Sequence, residues 1–184
     1  MMVSVSEVCP QASADAVGVR VALYDGPVAM RSLSRPRGRP LGPMAVRSLL
    51  ATHPPYRVRE VLRGLPTATG YTVTVKALRY RTSPHLQAFT YWDKPEIVIQ
   101  VPEPFRPFRE LVDLGSRGMP LVYFRNRREV IRFLYLHEFC HWWLYLTHGW
   151  GTAAEIACDR YAFANFRRTG PVAPPKLRGE PRAA

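Results

Sequence analysis

The chain predicts an α+β fold, and three observations carry that expectation. Three short runs alternate in the manner of strands: Tyr71–Ala77, Leu86–Trp92 and Glu96–Val101. The segment Val130–Thr147 is apolar over the length of a core helix. A further helical pattern, Ala153–Arg168, follows across the turn Gly149-Trp150-Gly151. Together they predict a small antiparallel sheet packed on two consecutive helices.

Composition bounds the rest. At 184 residues with 47% hydrophobic side chains, the chain can bury one core. Three cysteines, Cys9, Cys140 and Cys158, are odd in number and irregular in spacing, so no disulfide framework is expected and a reducing, cytoplasmic setting fits. The first thirty residues carry Glu7, Asp15, Arg20 and Asp25 and lack the apolar stretch of a secretory signal. Val130–Thr147 is long enough to suggest a membrane span, but Arg132, His137, Glu138 and His141 make lipid too costly for it. The formal net charge of +12 points to an acidic partner, either a nucleic acid or an acidic protein surface; the competing explanations are solubility alone or an arginine-rich genome, and the excess of arginine over lysine fits the latter.

In chain order, residues 1–43 read as an arm, with a strand at Val17–Leu23 and a linker at Arg31–Pro43 too rich in arginine, proline and glycine for regular structure. Residues 44–168 form the predicted domain, and 169–184 a disordered basic tail. Met44–Thr52 is expected as a short helix stopped by His53-Pro54-Pro55. Tyr56–Leu65 places Val58, Val61, Leu62 and Leu65 at helical spacing. Asp93-Lys94-Pro95 joins the second and third strands into a hairpin, and Phe108–Leu114 is expected as a short helix. Leu121–Phe124 fits either type. Asn126 and Glu129 form a capping-box pattern at the start of the long helix, which ends near His148-Gly149; Thr152 is expected to cap the next.

The chemistry is concentrated at His137-Glu138-Phe139-Cys140-His141, an H-E-x-x-H pattern. Residues four apart share a helix face, so His137 and His141 can offer two imidazoles to one metal ion. Glu138 flanks that face, where a carboxylate serves as general base. Cys140 reads as a small buried apolar residue. A zinc site needs a third protein ligand. Leu144 and Thr147 stand where H-E-x-x-H-x-x-G-x-x-H requires glycine and histidine, which excludes that class. His148 lies two turns beyond His141, roughly 10 Å along the axis. Glu155, on the following helix, is the better candidate. Asp159 is placed to accept the ring N–H of a ligand histidine. The competing explanation is an acid favoured by the helix dipole at Glu155, with Asp159 solvated beside Arg160 or Arg132.

The stretch from Asn126 to Phe166 resembles the catalytic helices of gluzincin metallopeptidases, and more narrowly the ImmA/IrrE family. The resemblance rests on H-E-F-C-H at 137–141, His148, and E-I-A-C-D-R-Y-A-F at 155–163. Cys158 departs from the usual alanine there, and Tyr161 from the usual phenylalanine. The resemblance implies a minimal zincin-like domain and a zinc-dependent endopeptidase, often acting on a DNA-binding repressor. Carried over by position, His137, His141 and Glu155 hold Zn2+, Glu138 is the base and later the proton donor, and Asp159 supports a ligand.

The oxyanion needs a donor, for which His148, Tyr145 and Tyr161 are candidates. Strand Glu96–Val101 is expected at the cleft edge, where an extended peptide could add. Two other readings compete. An SprT-like protease acting on DNA-bound proteins would suit the charge but uses a third histidine where this chain offers Glu155. A non-catalytic basic nucleic-acid-binding protein would more commonly have lost Glu138 or a ligand.

Overall fold

The computed structural model describes residues 42–79, 83–91, 94–148 and 154–176, all within the compact unit Pro40–Ala184. The chain order is β1 (Ala45–Ser48), α1 (Pro55–Leu62), β2 (Thr72–Leu78), β3 (Gln87–Tyr91), β4 (Glu96–Pro102), β5 (Phe108–Leu111), a 3-10 turn (Gly115–Arg117), β6 (Leu121–Phe124), α2 (Arg127–His148) and α3 (Glu155–Asn165). The α+β class is observed. The strand at Val17–Leu23, the linker up to residue 41, Cys9 and Thr152 lie outside the described residues.

The sheet is mixed rather than antiparallel. Its order is β1-β2-β4-β3, with β1 and β4 each parallel to β2 and only β3 antiparallel, to β4. The cause is β1, expected as part of a helix. Ala-Val-Arg-Ser has little preference of its own, and pairing of Ala45–Ser48 with Thr72–Val75 decides its state. Parallel neighbours require a long crossover, and α1 supplies it. The β3–β4 hairpin is as expected, with Phe89 opposite Val98.

Phe108–Leu111 is likewise a strand rather than a helix. It pairs with β6 in a separate two-stranded ribbon, Phe108 opposite Phe124. Those two rings stack at 5.3 Å, and Phe124 meets Phe133 edge-on at 5.4 Å. Phe166 closes the cluster against Phe133 at 5.5 Å, so the ribbon, α2 and the end of α3 share one aromatic core.

Helix α2 is the centre of the domain. Asn126 Oδ1 accepts from the Glu129 N–H at 3.0 Å, as a cap should. The Glu129 carboxylate turns instead to the Arg125 N–H and guanidinium, so the reciprocal half of the box is made one residue early. Ile131, Tyr135, Leu136, Phe139 and Leu144 are essentially inaccessible to solvent. They point in several directions, as they must in a helix buried nearly all round. Val73 and Val75 of β2 and Ile97, Ile99 and Val101 of β4 belong to the same core. Among the described residues no helix is long and apolar enough to cross a membrane.

Two buried polar side chains on α2 hold the surrounding backbone. Tyr135 donates its hydroxyl to the Pro66 carbonyl at 2.7 Å and accepts from the Ala68 N–H. Arg132 donates to the carbonyls of Phe166, Val61 and Arg168, each at 2.8 Å, and so ties the ends of α1 and α3 to α2. Replacing it by methionine keeps the apolar stem but leaves three carbonyls without that donor. Arg132→Met is expected to lose about 3 kcal/mol of stability, read as a lowered urea midpoint with an unchanged m-value. A loss below about 0.5 kcal/mol would mean that those carbonyls find water instead.

Helix α3 starts at Glu155, with Ala154 at the cap position and no side-chain cap, and it stops at Asn165 rather than continuing to Arg168. Part of the predicted tail is packed. Val172 is buried, its N–H donates to the Gly64 carbonyl at 2.8 Å, and residues 169–176 lie along the domain without helix or strand.

Candidate metal centre

The helical period and the packing of α3 against α2 build this site. His137 and His141 lie four residues apart on α2, and Glu155 opens α3, which packs back against it. Buried Cys140 and Leu144 of α2 meet Cys158 of α3, small enough to let the helices approach. Both cysteines are free thiols in this apolar contact.

The three polar groups converge. His137 Nε2 and His141 Nε2 are 3.1 Å apart. Glu155 Oε2 lies 3.1 Å from His137 Nε2, and Oε1 lies 3.2 Å from His141 Nε2. Four-coordinate zinc with bonds near 2.0–2.1 Å separates its ligand atoms by about 3.4 Å, so the spacing suits one small cation to within a few tenths of an ångström. Two ring nitrogens this close cannot both carry protons directed at each other. The cluster therefore holds a lone pair and a carboxylate facing one point. His137, His141 and Glu155 form the potential metal-binding group among the described residues.

Asp159 contacts the other side of His137. Its Oδ1 lies 2.8 Å from Nδ1, which assigns that nitrogen the proton and leaves Nε2 to bind a cation. The explanation in which Asp159 pairs with Arg160 or Arg132 is not what the fold adopts. Arg160 donates to the Leu114 carbonyl, and Arg132 is committed to the three carbonyls named above.

Electrostatics agree with the geometry. Burial works against an imidazolium at His137, but the hydrogen bonds its ring donates to the Asp159 and Glu155 carboxylates outweigh it and push its pKa up to about 10. Burial likewise opposes ionisation of Glu155, yet His137 and His141 hold its carboxyl well below the usual range. With no cation bound, the two carboxylates thus favour a second proton on His137, which a metal ion at Nε2 would have to displace. The histidines are largely enclosed, whereas the Glu155 side chain is 62% exposed, so access is from the α3 side.

Glu138 sits beside this cluster, buried at 7% exposure, and Thr90 of β3 donates to its Oε2 at 2.7 Å. One carboxylate oxygen is thereby anchored and Oε1 is left for other work. Thr90 escaped sequence reasoning because nothing local marks a threonine forty-eight positions from its partner.

Other expectations fare differently. The edge strands of the sheet are β1 and β3, with β3 the one beside Glu138, and not Glu96–Val101, since β4 lies between β2 and β3 and has both edges paired. Tyr161 donates its hydroxyl to the Ala173 carbonyl at 2.8 Å, so its only proton is used away from the cluster. Burial pushes that phenol's pKa upward, which also disfavours ionisation. His148 is the last residue of α2, and its side chain lies outside the described residues. Tyr145 stands one helical turn beyond His141.

Compared with protein-family models, with curated proteins and with solved structures, the chain matches none.

Proposed function

We propose that the chain is a zinc-dependent endopeptidase with a minimal zincin-like domain, of the kind suggested by its resemblance to the ImmA/IrrE family. One observation carries this reading: His137, His141 and Glu155 converge on a point, with the carboxylate of Glu138 anchored beside it. Two histidines and one carboxylate also suit ferrous iron. The adjacent Glu138, held as a proton acceptor, favours hydrolysis on zinc.

When bound, zinc supplies a water acidified to near neutral pH and a positive charge that polarises a carbonyl. The chain's own residues supply the rest. Thr90 fixes Glu138 Oε2, so Oε1 is the atom that accepts the water's proton and later passes it to the leaving amine. Asp159 holds His137 in the tautomer that can bind the ion. The outer side of β3, which ends the sheet, offers backbone groups to an extended peptide. Thr90 lies on that strand, so docking there brings a scissile bond next to Glu138. The edge strand beside Glu138 supports a protein substrate, with a DNA-binding repressor the class implied by the resemblance and a cytoplasmic setting the one that the irregular cysteine pattern fits.

The test is metal analysis followed by cleavage. Full-length protein incubated with zinc and iron salts and then dialysed is expected to retain about one zinc per chain. It is expected to cleave an unstructured protein, to lose that activity with a chelator and to regain it with zinc. Retention of iron instead, or of neither metal, overturns the reading.

A further inference from the structure

The first turn of α2 lies about 15 Å along the helix from His137 and is built of arginine. Two adjoining cavities, of about 280 and 130 Å3, open there and share Arg125, Asn126 and Arg128. His53, Phe105 and Arg127 complete the first, and Arg167, buried Arg132, Phe166 and the Glu129 carboxylate complete the second.

This concentration of charge is unfavourable for folding alone. A helix start carries positive dipole charge, which acidic side chains offset and cations aggravate. Here two of the first three residues of α2 are arginine. The carboxylates nearby are already used. Glu129 is buried and shared by Arg125 and Arg167, and Glu103 accepts from Arg127 Nη2 at 2.8 Å. Against these two carboxylates stand four arginines, Arg125, Arg127, Arg128 and Arg167, besides Arg132, whose guanidinium is committed to three carbonyls.

Donors remain unmatched. Arg127 Nε is buried with no hydrogen-bond partner, and Arg128 makes no ion pair or hydrogen bond among the described residues. Asn126 spends its oxygen on the Glu129 N–H, which leaves its amide NH2 as a donor. Burial, then Arg127 and Arg57, lower the pKa of His53, consistent with a positive potential here. Stability given up in one exposed place is how a binding site departs from a sequence's own folding preferences.

We infer that this arginine-lined end of α2 binds the phosphodiester backbone of a nucleic acid. Guanidinium groups match phosphate oxygens in planar, two-pronged fashion, and arginines line both cavities here. The two cavities share Arg125 and Arg128, so the basic surface extends past one phosphate-sized site, as a strand with several phosphates would use it. No ligand of the candidate metal centre takes part, so the inference stands or falls independently of the peptidase proposal.

The experiment is fluorescence anisotropy on the full chain with a labelled single strand of about 20 nucleotides and the matching duplex, across a salt series. The wild type is expected to bind at least one of them with an affinity that falls steeply with salt. Arg127→Ala/Arg128→Ala is expected to bind at least about tenfold more weakly and to lower the log–log salt slope by about 2. Lys94→Ala/Arg117→Ala, which removes the same charge elsewhere, is expected to stay near wild type. If the first double variant does not fold, Arg128→Ala alone should lower the slope by about 1. Equal losses in both double variants, or no salt-dependent binding, overturn the inference. So does binding of a phosphoserine peptide without binding of either oligonucleotide, which would assign the patch to a protein partner.

Discussion

Glu138→Gln is expected to bind zinc as the wild type does while losing at least about a thousandfold in peptide cleavage. Glutamine has nearly the same shape, and its carbonyl can still accept from the Thr90 hydroxyl, so the buried pocket keeps its packing. It cannot accept a proton from water, and that step is the one the proposed mechanism assigns to Glu138. Metal content by mass analysis and initial rates on one unstructured substrate separate the two effects. Thr90→Val provides the graded comparison. It leaves the base in place but releases its anchored oxygen, and an activity loss of about tenfold at unchanged zinc content is expected. A Glu138→Gln enzyme retaining a tenth of wild-type activity would rule out Glu138 as the base.

Glu155→Ala should weaken zinc binding by more than about a hundredfold, and Asp159→Ala by roughly 10–100-fold, as measured by competition with a chelating dye. The ranking follows from position. Glu155 faces the point shared by both Nε2 atoms, whereas Asp159 acts one bond-network further out through His137 Nδ1. Because the Glu155 side chain is mostly exposed, its truncation removes little packing, and the folded protein remains available for the measurement. Unchanged affinity in Glu155→Ala would move the third ligand elsewhere, with His148 the first residue to examine. Reversal of the ranking would mean that Asp159 itself reaches the metal.

The local parts of this protein could be read directly. The spacing of His137 and His141 is a helical repeat, and a helix keeps neighbours at that spacing whatever surrounds it. Asn126 as a cap and the β3–β4 hairpin are equally local, since turn and cap chemistry act over three or four residues. Glu155 and Asp159 were legible because few residues separate the two helical patterns, which leaves few ways to pack them, and four-residue spacing keeps the two acids on one face.

Long-range pairing was not legible. Ala45–Ser48 and Phe108–Leu111 carry weak or ambiguous preferences and became strands only on meeting β2 and β6. Those partners made the sheet mixed and moved β4 to its interior, leaving β3 at the edge. The same assembly brought Thr90 to Glu138 and turned the Tyr161 hydroxyl to Ala173. It also placed Arg132 against carbonyls of two other segments. By itself the sequence determined which groups can act together on one face of one helix, because that depends on covalent spacing and a fixed period. Only the tertiary structure decided which strand borders the cluster, which hydroxyl orients its carboxylate and that Arg167 and His53 join the arginines at the start of α2. Those depend on contacts between residues far apart in the chain, and such contacts leave no periodic trace in the sequence.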